Sequence, residues 1–479
     1  MSIVTGNDYI QSLRQRALRV YYKGQLIKDP VDHPVIRPSV NAMAATYDLA
    51  HEHPEIGQVY SDIAGTKINR FLHIAMSPDD LVAQNKMQRR LGQLTGTCFQ
   101  RCVGMDAINA LFAMTYNCDQ LHKTQYHANL RAFIKERQLA NHVIGGAMTD
   151  PKGDRSLPPH KQADPDLFVR IVSQSDSGVT IRGAKMHQTG CINSHWLLVM
   201  PTMRLQEADA AYAIAGAVPV DHPKVSYIYG RQSCDDRDPR DAGNAKFGGQ
   251  EAMIIFDDVE IPWNHIFMNG EVDQAAPLVE YFTNYHRRSY VCKSGVGDVL
   301  IGAAALASEF NGTTKASHIN DKLVEMTHLN ETIYGTGIAA SQSAKETPSG
   351  NFSPDEMLAN VCKHNVTRHP FELARLAQDI AGGLVGTLPS DLDFQADATK
   401  GILQKYLQTV PGLDVEKRRR VMRLIENMTL GRNAVGYLTE SLHGAGSPQA
   451  QRIQMKRLGD MEGKKGLAAS IMGLTEGES

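Results

Sequence analysis

The chain has 479 residues, with 50 Lys and Arg against 52 Asp and Glu. This balance argues against a nucleic-acid-binding protein, which usually carries a basic excess, and against an acidic solvating tail. Hydrophobic residues make up 42% and charged residues 21%, which is typical of a folded globular protein. We expect about two to four domains. No apolar run approaches the roughly 20 residues of a membrane span and no signal peptide is apparent, so we expect a cytoplasmic protein without a membrane partner.

The first segment, 1–144, is expected to be mainly helical. Ser77 and Pro78, followed by two Asp residues, form a typical helix start, with a hydroxyl N-cap and acids at the positive end of the helix dipole. The apolar, proline-free run from Cys98 to Met114 predicts a buried helix. Another amphipathic helix is predicted over about 122–139.

The middle segment, 145–272, has the pattern of a β domain. Leu167–Val172 and Val179–Arg182 flank the turn residues 176–178, which predicts a hairpin. Further strands are predicted at 196–200, 224–229 and 253–256.

The last segment, 273–479, is again expected to be helical. Helices are predicted over about 294–310, 315–344, 353–382, 414–433 and 448–472. Helices, then a β-barrel-like layer, then a helical bundle is the order of the acyl-CoA dehydrogenase-like fold, so we predict a mainly helical α+β protein of that type.

Seven scattered cysteines make a poor disulfide framework. Cys98 and Cys102 are four apart and would share one face of a helix, where two thiolates could bind a metal centre. From this pair alone two core cysteines are favoured, because free Cys is among the most buried residue types. His286 and Cys292 add a second pair, and three Cys with one His would suit either Zn²⁺ or a [4Fe–4S] cluster.

Four other polar or glycine-rich segments could hold a cofactor. The stretch 187–195 is unusually polar for a strand end and is either a ligand site or a polar turn. The loop 149–155 could hold an anion or simply face solvent. The glycines at 382–386 and 444–446 could lie against a phosphate or end helices. No dinucleotide fingerprint or Walker loop is present, so a Rossmann hydride-transfer enzyme is not expected.

Four segments, in this order, resemble the 4-hydroxybutyryl-CoA dehydratase branch of the 4-hydroxyphenylacetate 3-hydroxylase family of flavoproteins. They are CFQRC (98–102), HQTGCINSH (187–195), NYHRRSYVCKSGVGDVLIGAA (284–304) and ESLHGAGSPQAQR (440–452). The second and fourth occur in related forms across the family and imply the fold and FAD. The Cys and His residues distinguish the dehydratase from the hydroxylases.

The resemblance implies three groups of site residues. The ligands of a [4Fe–4S] cluster would be Cys98, Cys102, His286 and Cys292. The catalytic positions around the substrate would be Thr189, Glu251, His286, Tyr290, Lys293 and Glu440. Non-covalent FAD would be held by Thr149, Lys152, Arg155, Gln188, Thr189, Asn193, Gly382, Gly383, Ser447 and Gln449, at a subunit interface of a homotetramer.

The chemistry implied is a radical dehydration of 4-hydroxybutyryl-CoA to crotonyl-CoA, with isomerisation of vinylacetyl-CoA. The thioester carbonyl does not acidify the β-hydrogen of the substrate enough for its removal. General base catalysis alone accelerates a reaction by only about 10²–10⁴-fold. The resemblance implies that a base, with His286 as the candidate, removes an α-proton, that the flavin takes and returns one electron, and that a cluster iron receives the hydroxyl group.

Two other functions are open to such a chain. A two-component FAD-dependent aromatic hydroxylase would share the fold, but the four ligand-type residues argue against it. A non-catalytic cluster-bearing redox protein would have a closed site, against which the polar residues around 187–190 and Lys293 argue. The spacer between His286 and Cys292 is also one residue shorter than in the family pattern, with Val291 in place of a small residue, which predicts a shifted Cys292.

Overall fold

Helices dominate the N-terminal part of the chain in the computed structural model, which describes residues 4–230 and 243–474. The helices are α1 Gly6–Arg14, α2 Arg37–Glu52, α3 Pro54–Gly57, α4 Pro78–Thr95, α5 Cys102–His122 and α6 Tyr126–Ala140. Short strands lie between them: β1 Val20–Tyr22, β2 Gln25–Leu26, β3 Gln58–Ser61 and β4 Thr66–Asn69.

The connection between α4 and α5 differs from the sequence prediction. The predicted cap of α4 is confirmed, since the Ser77 side chain accepts a hydrogen bond from the Asp80 amide. Gly96 ends α4 in the left-handed conformation, and Gln100 also has a positive φ of 66°. Because this backbone interrupts helical geometry, α5 begins at Cys102 and not at Cys98. The two cysteines therefore do not share a helical face as predicted.

The middle of the chain forms two sheets. Its strands are β5 Ile144–Ala147, β6 Arg170–Gln174, β7 Gly178–Thr189, β8 Trp196–Val199, β9 Ile214–Pro219, β10 Val225–Tyr229, β11 Glu251–Pro262 and β12 Ile266–Asn269. The larger sheet has the order β2-β1-β10-β11-β7-β6, and the smaller one β12-β9-β8-β5. The β6–β7 hairpin is confirmed. Strands β1 and β2 come from the segment expected to be helical and extend the larger sheet, β1 pairing in parallel with β10.

The C-terminal part is a helical bundle. Its elements are α7 Val272–Ser289, α8 Cys292–Phe310, α9 Ser317–Gln342, β13 Lys345–Glu346, β14 Phe352–Ser353, α10 Glu356–Val366, α11 His369–Ala381, α12 Leu384–Thr387, α13 Asp391–Gln395, α14 Asp397–Tyr406, α15 Val415–Thr429, α16 Arg432–Ala434, a π-helical turn Val435–Thr439, α17 Glu440–His443, α18 Pro448–Leu458 and α19 Met461–Met472.

Two predicted helices are each split in this bundle. The helix predicted over 353–382 is interrupted between α10 and α11, where Pro370 favours a new helix start. The helix predicted over 448–472 is interrupted at Asp460, which has a φ of 41°. The Asp460 side chain caps the N-terminus of α19. The predicted domain boundaries at 144/145 and 272/273 remain predictions.

Helices α4 and α8 pack at close range. A Cβ atom on Gly295 would lie 2.0 Å from the Arg89 carbonyl oxygen, and one on Gly92 would lie 2.6 Å from that of Cys292. Within Val272–Phe310, an 18-residue window has a mean hydropathy of 1.3 and the length of a membrane span, but 67% of this window is buried inside the protein. Buried core helices commonly have this composition.

Candidate active site

Three of the predicted cysteines are brought together by three different elements. Cys98 lies in the loop before α5, Cys102 is the first residue of α5, and Cys292 is the first residue of α8. The Cys102 thiol donates a hydrogen bond to the Cys292 sulfur, which lowers the pKa of Cys292 against the opposing effect of burial. Burial, and then the nearby Glu440 carboxylate, raises the pKa of Cys98.

The predicted His286 lies on the last turns of α7, beside these thiols. Its Nδ1 is 2.7 Å from Oδ2 of Asp106. Its ring stacks on Phe282, with ring centroids 5.1 Å apart, and meets Tyr290 edge-on at 5.3 Å. Asp106 was not predicted from the sequence. The available signal was an acid one helical turn after Cys102 in an otherwise apolar helix.

Lys293 and Glu440 form a charged pair beside the three cysteine thiols. Lys293 Nζ donates hydrogen bonds to Glu440 Oε2 at 2.9 Å and to the Gly436 carbonyl oxygen at 2.6 Å. The other Glu440 oxygen accepts from the Cys98 thiol at 3.8 Å. Burial acts to lower the pKa of Lys293, but the negative charge of Glu440 and of the thiolates outweighs it, so this pKa is raised and the side chain stays an ammonium ion.

A second carboxyl group enters from the β layer. Glu251 and Thr189 are paired residues of β11 and β7, and the Thr189 hydroxyl donates to Glu251 Oε1 at 2.6 Å. Burial, and then repulsion from Glu440, raises the pKa of Glu251 well above its usual range. Glu251 lies beside a hydroxyl group and Glu440 beside an ammonium ion, and such a difference in environment is the usual arrangement of an acid and a base.

Tyr290 lies between these charges at the turn that joins α7 to α8. Burial, and then the Glu440 charge, raises its pKa well above the usual value. A Cβ atom on Gly444 would lie 1.7 Å from its hydroxyl oxygen, so only glycine fits there. The buried Lys363, which the sequence analysis missed, lies 4.5 Å from the Tyr290 ring centroid. Burial, followed by repulsion from Lys293, lowers the pKa of Lys363 to about 7.

Two residues predicted to bind a cofactor make hydrogen bonds within the protein. Gln188 accepts from the Met148 amide at 3.0 Å and donates to the Thr149 carbonyl oxygen at 3.2 Å, which stabilises the backbone around the HQTG segment. Asn193 is buried and donates to the side chains of Ser39 and Gln100, which joins the segment to α2 and to the loop before α5.

The remaining cofactor candidates lie at the surface. Exposed positions among them are Lys152, Arg155, Gly382, Gly383, Ser447 and Gln449. Partial burial, and then positive charge on Lys152 and His443, lowers the pKa of His187. Lys152 and His443 therefore lie close enough to His187 to act on it electrostatically.

The other cysteines play no part in the site. Cys118, Cys191 and Cys362 are buried free thiols, and Cys234 lies outside the described residues. Within 4–230 and 243–474, no three His, Cys, Asp or Glu side chains converge closely enough to hold a single metal ion.

Comparison with known proteins places the chain in a family. The family model for the N-terminal part of 4-hydroxyphenylacetate 3-hydroxylase matches residues 5–268, and that for the C-terminal part matches residues 275–473. The 4-hydroxybutyryl-CoA dehydratase/vinylacetyl-CoA Δ-isomerase of Clostridium aminobutyricum is 51% identical, over 98% of this chain and all of its own.

Solved structures agree with these sequence matches. An oxygen-tolerant archaeal 4-hydroxybutyryl-CoA dehydratase from N. maritimus is 60% identical, with a TM-score of 0.98 over 100% of this chain and 96% of its own. The oxygenase component of 4-hydroxyphenylacetate 3-monooxygenase, solved with FAD, is 24% identical, with a TM-score of 0.87 over 98% of both chains. At this identity the likeness shows the fold alone.

A more distant structure bears on the predicted fold class. A glutaryl-CoA dehydrogenase has a TM-score of 0.50 at 11% identity, over 80% of each chain. The predicted acyl-CoA dehydrogenase-like α+β arrangement is confirmed, as is the resemblance carried by the four sequence segments. The chain belongs to the 4-hydroxyphenylacetate 3-hydroxylase family and groups within it with the 4-hydroxybutyryl-CoA dehydratases.

Proposed function

We propose that this protein dehydrates 4-hydroxybutyryl-CoA to crotonyl-CoA and isomerises vinylacetyl-CoA, using FAD and a [4Fe–4S] cluster. Two relatives named as this dehydratase match almost the whole chain at 51% and 60% identity. The observation that carries the proposal is the grouping of three thiols with the Lys293–Glu440 pair and Glu251, next to the Asp106–His286 pair.

The donor set fits a [4Fe–4S] cluster better than a single ion. Such a cluster takes its ligands on separate iron atoms, so the ligands need not converge on one point. Cys98, Cys102 and Cys292 would supply three thiolates, and His286 would supply the fourth ligand through Nε2. In the part of the chain that is described, Nε2 has no hydrogen-bond partner, while Nδ1 is held by Asp106. A metal-bound histidine usually donates a hydrogen bond from its other ring nitrogen, often to a carboxylate.

FAD could bind at the surface around His187. Lys152 and His443 both act on this histidine and could face the pyrophosphate. A related family structure was solved with FAD. When bound, the flavin would supply reversible one-electron transfer and the cluster a Lewis acid for the departing hydroxyl group.

The side chains of the site would divide the proton transfers among them. His286 would remove the α-proton of the thioester through Nε2, which requires the bond between Nε2 and iron to be labile. Glu251, whose pKa is raised by burial, could donate a proton to the departing hydroxyl group. Lys293 would stabilise negative charge on the substrate, and Glu440 would hold Lys293 in place. Tyr290 would close the site between these groups.

We further propose a homotetramer in which FAD lies between subunits. The exposed positions of the predicted FAD residues support this assembly, because a second chain could cover them. The C-terminal helices α18 and α19 also expose large apolar side chains: Ile453 is 57%, Leu467 69% and Ile471 89% exposed. Apolar surface of this kind is typical of subunit interfaces.

Cofactor content and product analysis together test the function. Protein purified without oxygen should contain about four irons with sulfide and one FAD per chain, and should convert 4-hydroxybutyryl-CoA without reductase, oxidant or reductant. Zinc in place of iron and sulfide would contradict the proposed cluster. Oxygen-dependent hydroxylation of a phenol, with reduced flavin supplied and no dehydration, would instead assign the chain to the hydroxylases.

A further inference from the structure

Asp106 has a different set of partners at each of its two carboxylate oxygens. It is fully buried on α5, one turn after Cys102. Oδ2 lies 2.7 Å from His286 Nδ1. Oδ1 accepts from the Ser289 hydroxyl at 2.9 Å and lies 3.7 Å from the Arg288 guanidinium. All three partners belong to the last turn of α7, so Asp106 joins the helix that begins at one thiol to the helix that carries the histidine.

This geometry has a consequence for the imidazole proton. A carboxylate can only accept hydrogen bonds, so in the neutral ring the proton of His286 must be on Nδ1. The lone pair is then on Nε2, for which no described residue provides a hydrogen bond. Both a metal ligand and a general base need that lone pair.

We infer that Asp106 is a positioning residue that fixes His286 as the Nδ1–H tautomer and thereby keeps Nε2 available. The inference deepens the proposed function and rests on it for the role of Nε2. The hydrogen bond would also fix the orientation of the ring, since Phe282 stacks on one side of it and Asp106 meets its edge.

The variant Asp106→Asn provides an isosteric test. The Ser289 hydroxyl donates to Oδ1 and the positively charged Arg288 guanidinium lies 3.7 Å from it, so the amide oxygen should remain at this position. The amide NH₂ group would then occupy the Oδ2 position and donate to Nδ1. The His286 proton should move to Nε2, as happens when an asparagine replaces the aspartate behind a catalytic histidine.

The tautomer can be read directly by solid-state NMR of full-length protein labelled with ¹⁵N-histidine. The spectra would be recorded on iron-free protein at about pH 9, well above the ordinary pKa of histidine, and the His286 signals would be identified by their loss in His286→Gln. The inference predicts a protonated Nδ1 and a bare Nε2 in the wild type, and the reverse in Asp106→Asn. A wild-type protein with Nε2–H overturns the inference, and so does an Asp106→Asn protein that keeps Nδ1–H.

Iron retention in the purified holoprotein gives a second reading. Loss of the carboxylate should weaken metal binding by about 10–100-fold. A matched control is Asp209→Asn, because Asp209 is 1% exposed and also lies 2.7 Å from a histidine Nδ1, that of His160. The control should alter the tautomer of His160 and leave both His286 and the iron content unchanged. Wild-type iron retention in an Asp106→Asn protein with the reversed tautomer would also overturn the inference.

The outcomes separate this inference from the proposed function. If the tautomers behave as expected but the wild-type protein holds zinc or forms no crotonyl-CoA, the function fails and the role of Asp106 in fixing the tautomer stands. If the protein dehydrates its substrate while His286 is the Nε2–H tautomer, the function stands and the role of Asp106 fails.

Discussion

The ammonium group of Lys293 lies 2.9 Å from Oε2 of Glu440, and the other oxygen of that carboxylate accepts from the Cys98 thiol at 3.8 Å. One carboxylate therefore contacts both a cation and a predicted cluster ligand. Lys293 is only 2% exposed and Glu440 20%, so the pair is largely removed from water. Removing one partner of such a pair leaves an uncompensated charge.

Glu440→Gln should consequently impair both stability and catalysis. We expect a loss of up to about 3–5 kcal/mol in the free energy of unfolding and a fall in kcat of roughly 10²-fold or more, because Lys293 loses its counterion. Urea denaturation and initial rates measure the two effects. Glu346→Gln, which removes an exposed carboxylate on β13, is the control and should change neither. Wild-type stability in Glu440→Gln would show that the pair is not needed for folding.

Cysteine variants test the ligand assignment. Cys292→Ala should lose most of the iron and sulfide, whereas Cys362→Ala should retain both. Cys362 is a buried free thiol that contacts backbone carbonyl groups on other helices and belongs to no predicted ligand set. Iron analysis and the visible absorbance spectrum compare the two proteins. Equal iron in both variants would remove Cys292 from the ligand set.

The predictable part of the site is the part carried by short segments. His286, Tyr290, Cys292 and Lys293 are close in sequence and remain close in space. The proposed shared helical face of Cys98 and Cys102 was wrong, because the positive φ of Gln100 depends on tertiary contacts that a sequence pattern does not record.

Long-range partners were harder to predict. Asp106 and Lys363 come from α5 and α10 and meet the α7–α8 turn only in the folded protein. Gln188 and Asn193 were predicted to contact FAD, and buried amides of this kind also make hydrogen bonds within the protein, here to backbone groups for Gln188 and to side chains for Asn193. Residue type alone does not separate these two roles.

Val291 was predicted to depart from the family pattern, in which a small residue stands at this position. Gly337 on α9 leaves room for its side chain. A Cβ atom on Gly337 would lie 2.0 Å from Cγ1 of Val291, which is fully buried next to Cys292. Gly337→Ala should destabilise the protein by about 1–3 kcal/mol through overpacking, although alanine has the better helix propensity by about 1 kcal/mol. It should also lower iron retention by displacing Cys292.

The double variant Gly337→Ala/Val291→Ala should recover part of both losses, because the smaller side chain removes the clash. A double-mutant cycle of unfolding free energies measures the coupling. Strictly additive effects would show that the two positions do not constrain each other.

A partly buried pair of histidines predicts how stability depends on pH. The rings of His142 and His195 stack with centroids 4.5 Å apart. Burial, and then the Arg137 charge, lowers the pKa of His142 from 6.5 to about 4. The unfolded chain therefore binds a proton between these pH values and the folded chain does not, so this contribution is intact above pH 6.5 and stability falls as the pH drops towards 4.

His142→Phe retains a stacking ring without the titratable group. The fall in Tm between neutral pH and about pH 4.5 should be smaller in this variant than in the wild type. His53→Phe, at an exposed position, should behave as the wild type does. Identical pH profiles for His142→Phe and the wild type would contradict the assignment.

The most direct test of the proposed dehydration follows α-deuterium exchange and crotonyl-CoA formation in parallel, from 4-hydroxybutyryl-CoA in D₂O under anaerobic conditions. The holoprotein with FAD and a full cluster should catalyse both deuterium exchange and crotonyl-CoA formation without an external electron carrier. His286→Ala should lose both activities together. A holoprotein with a full complement of cluster and FAD that catalyses neither reaction, on this thioester or on vinylacetyl-CoA, would contradict the proposed function.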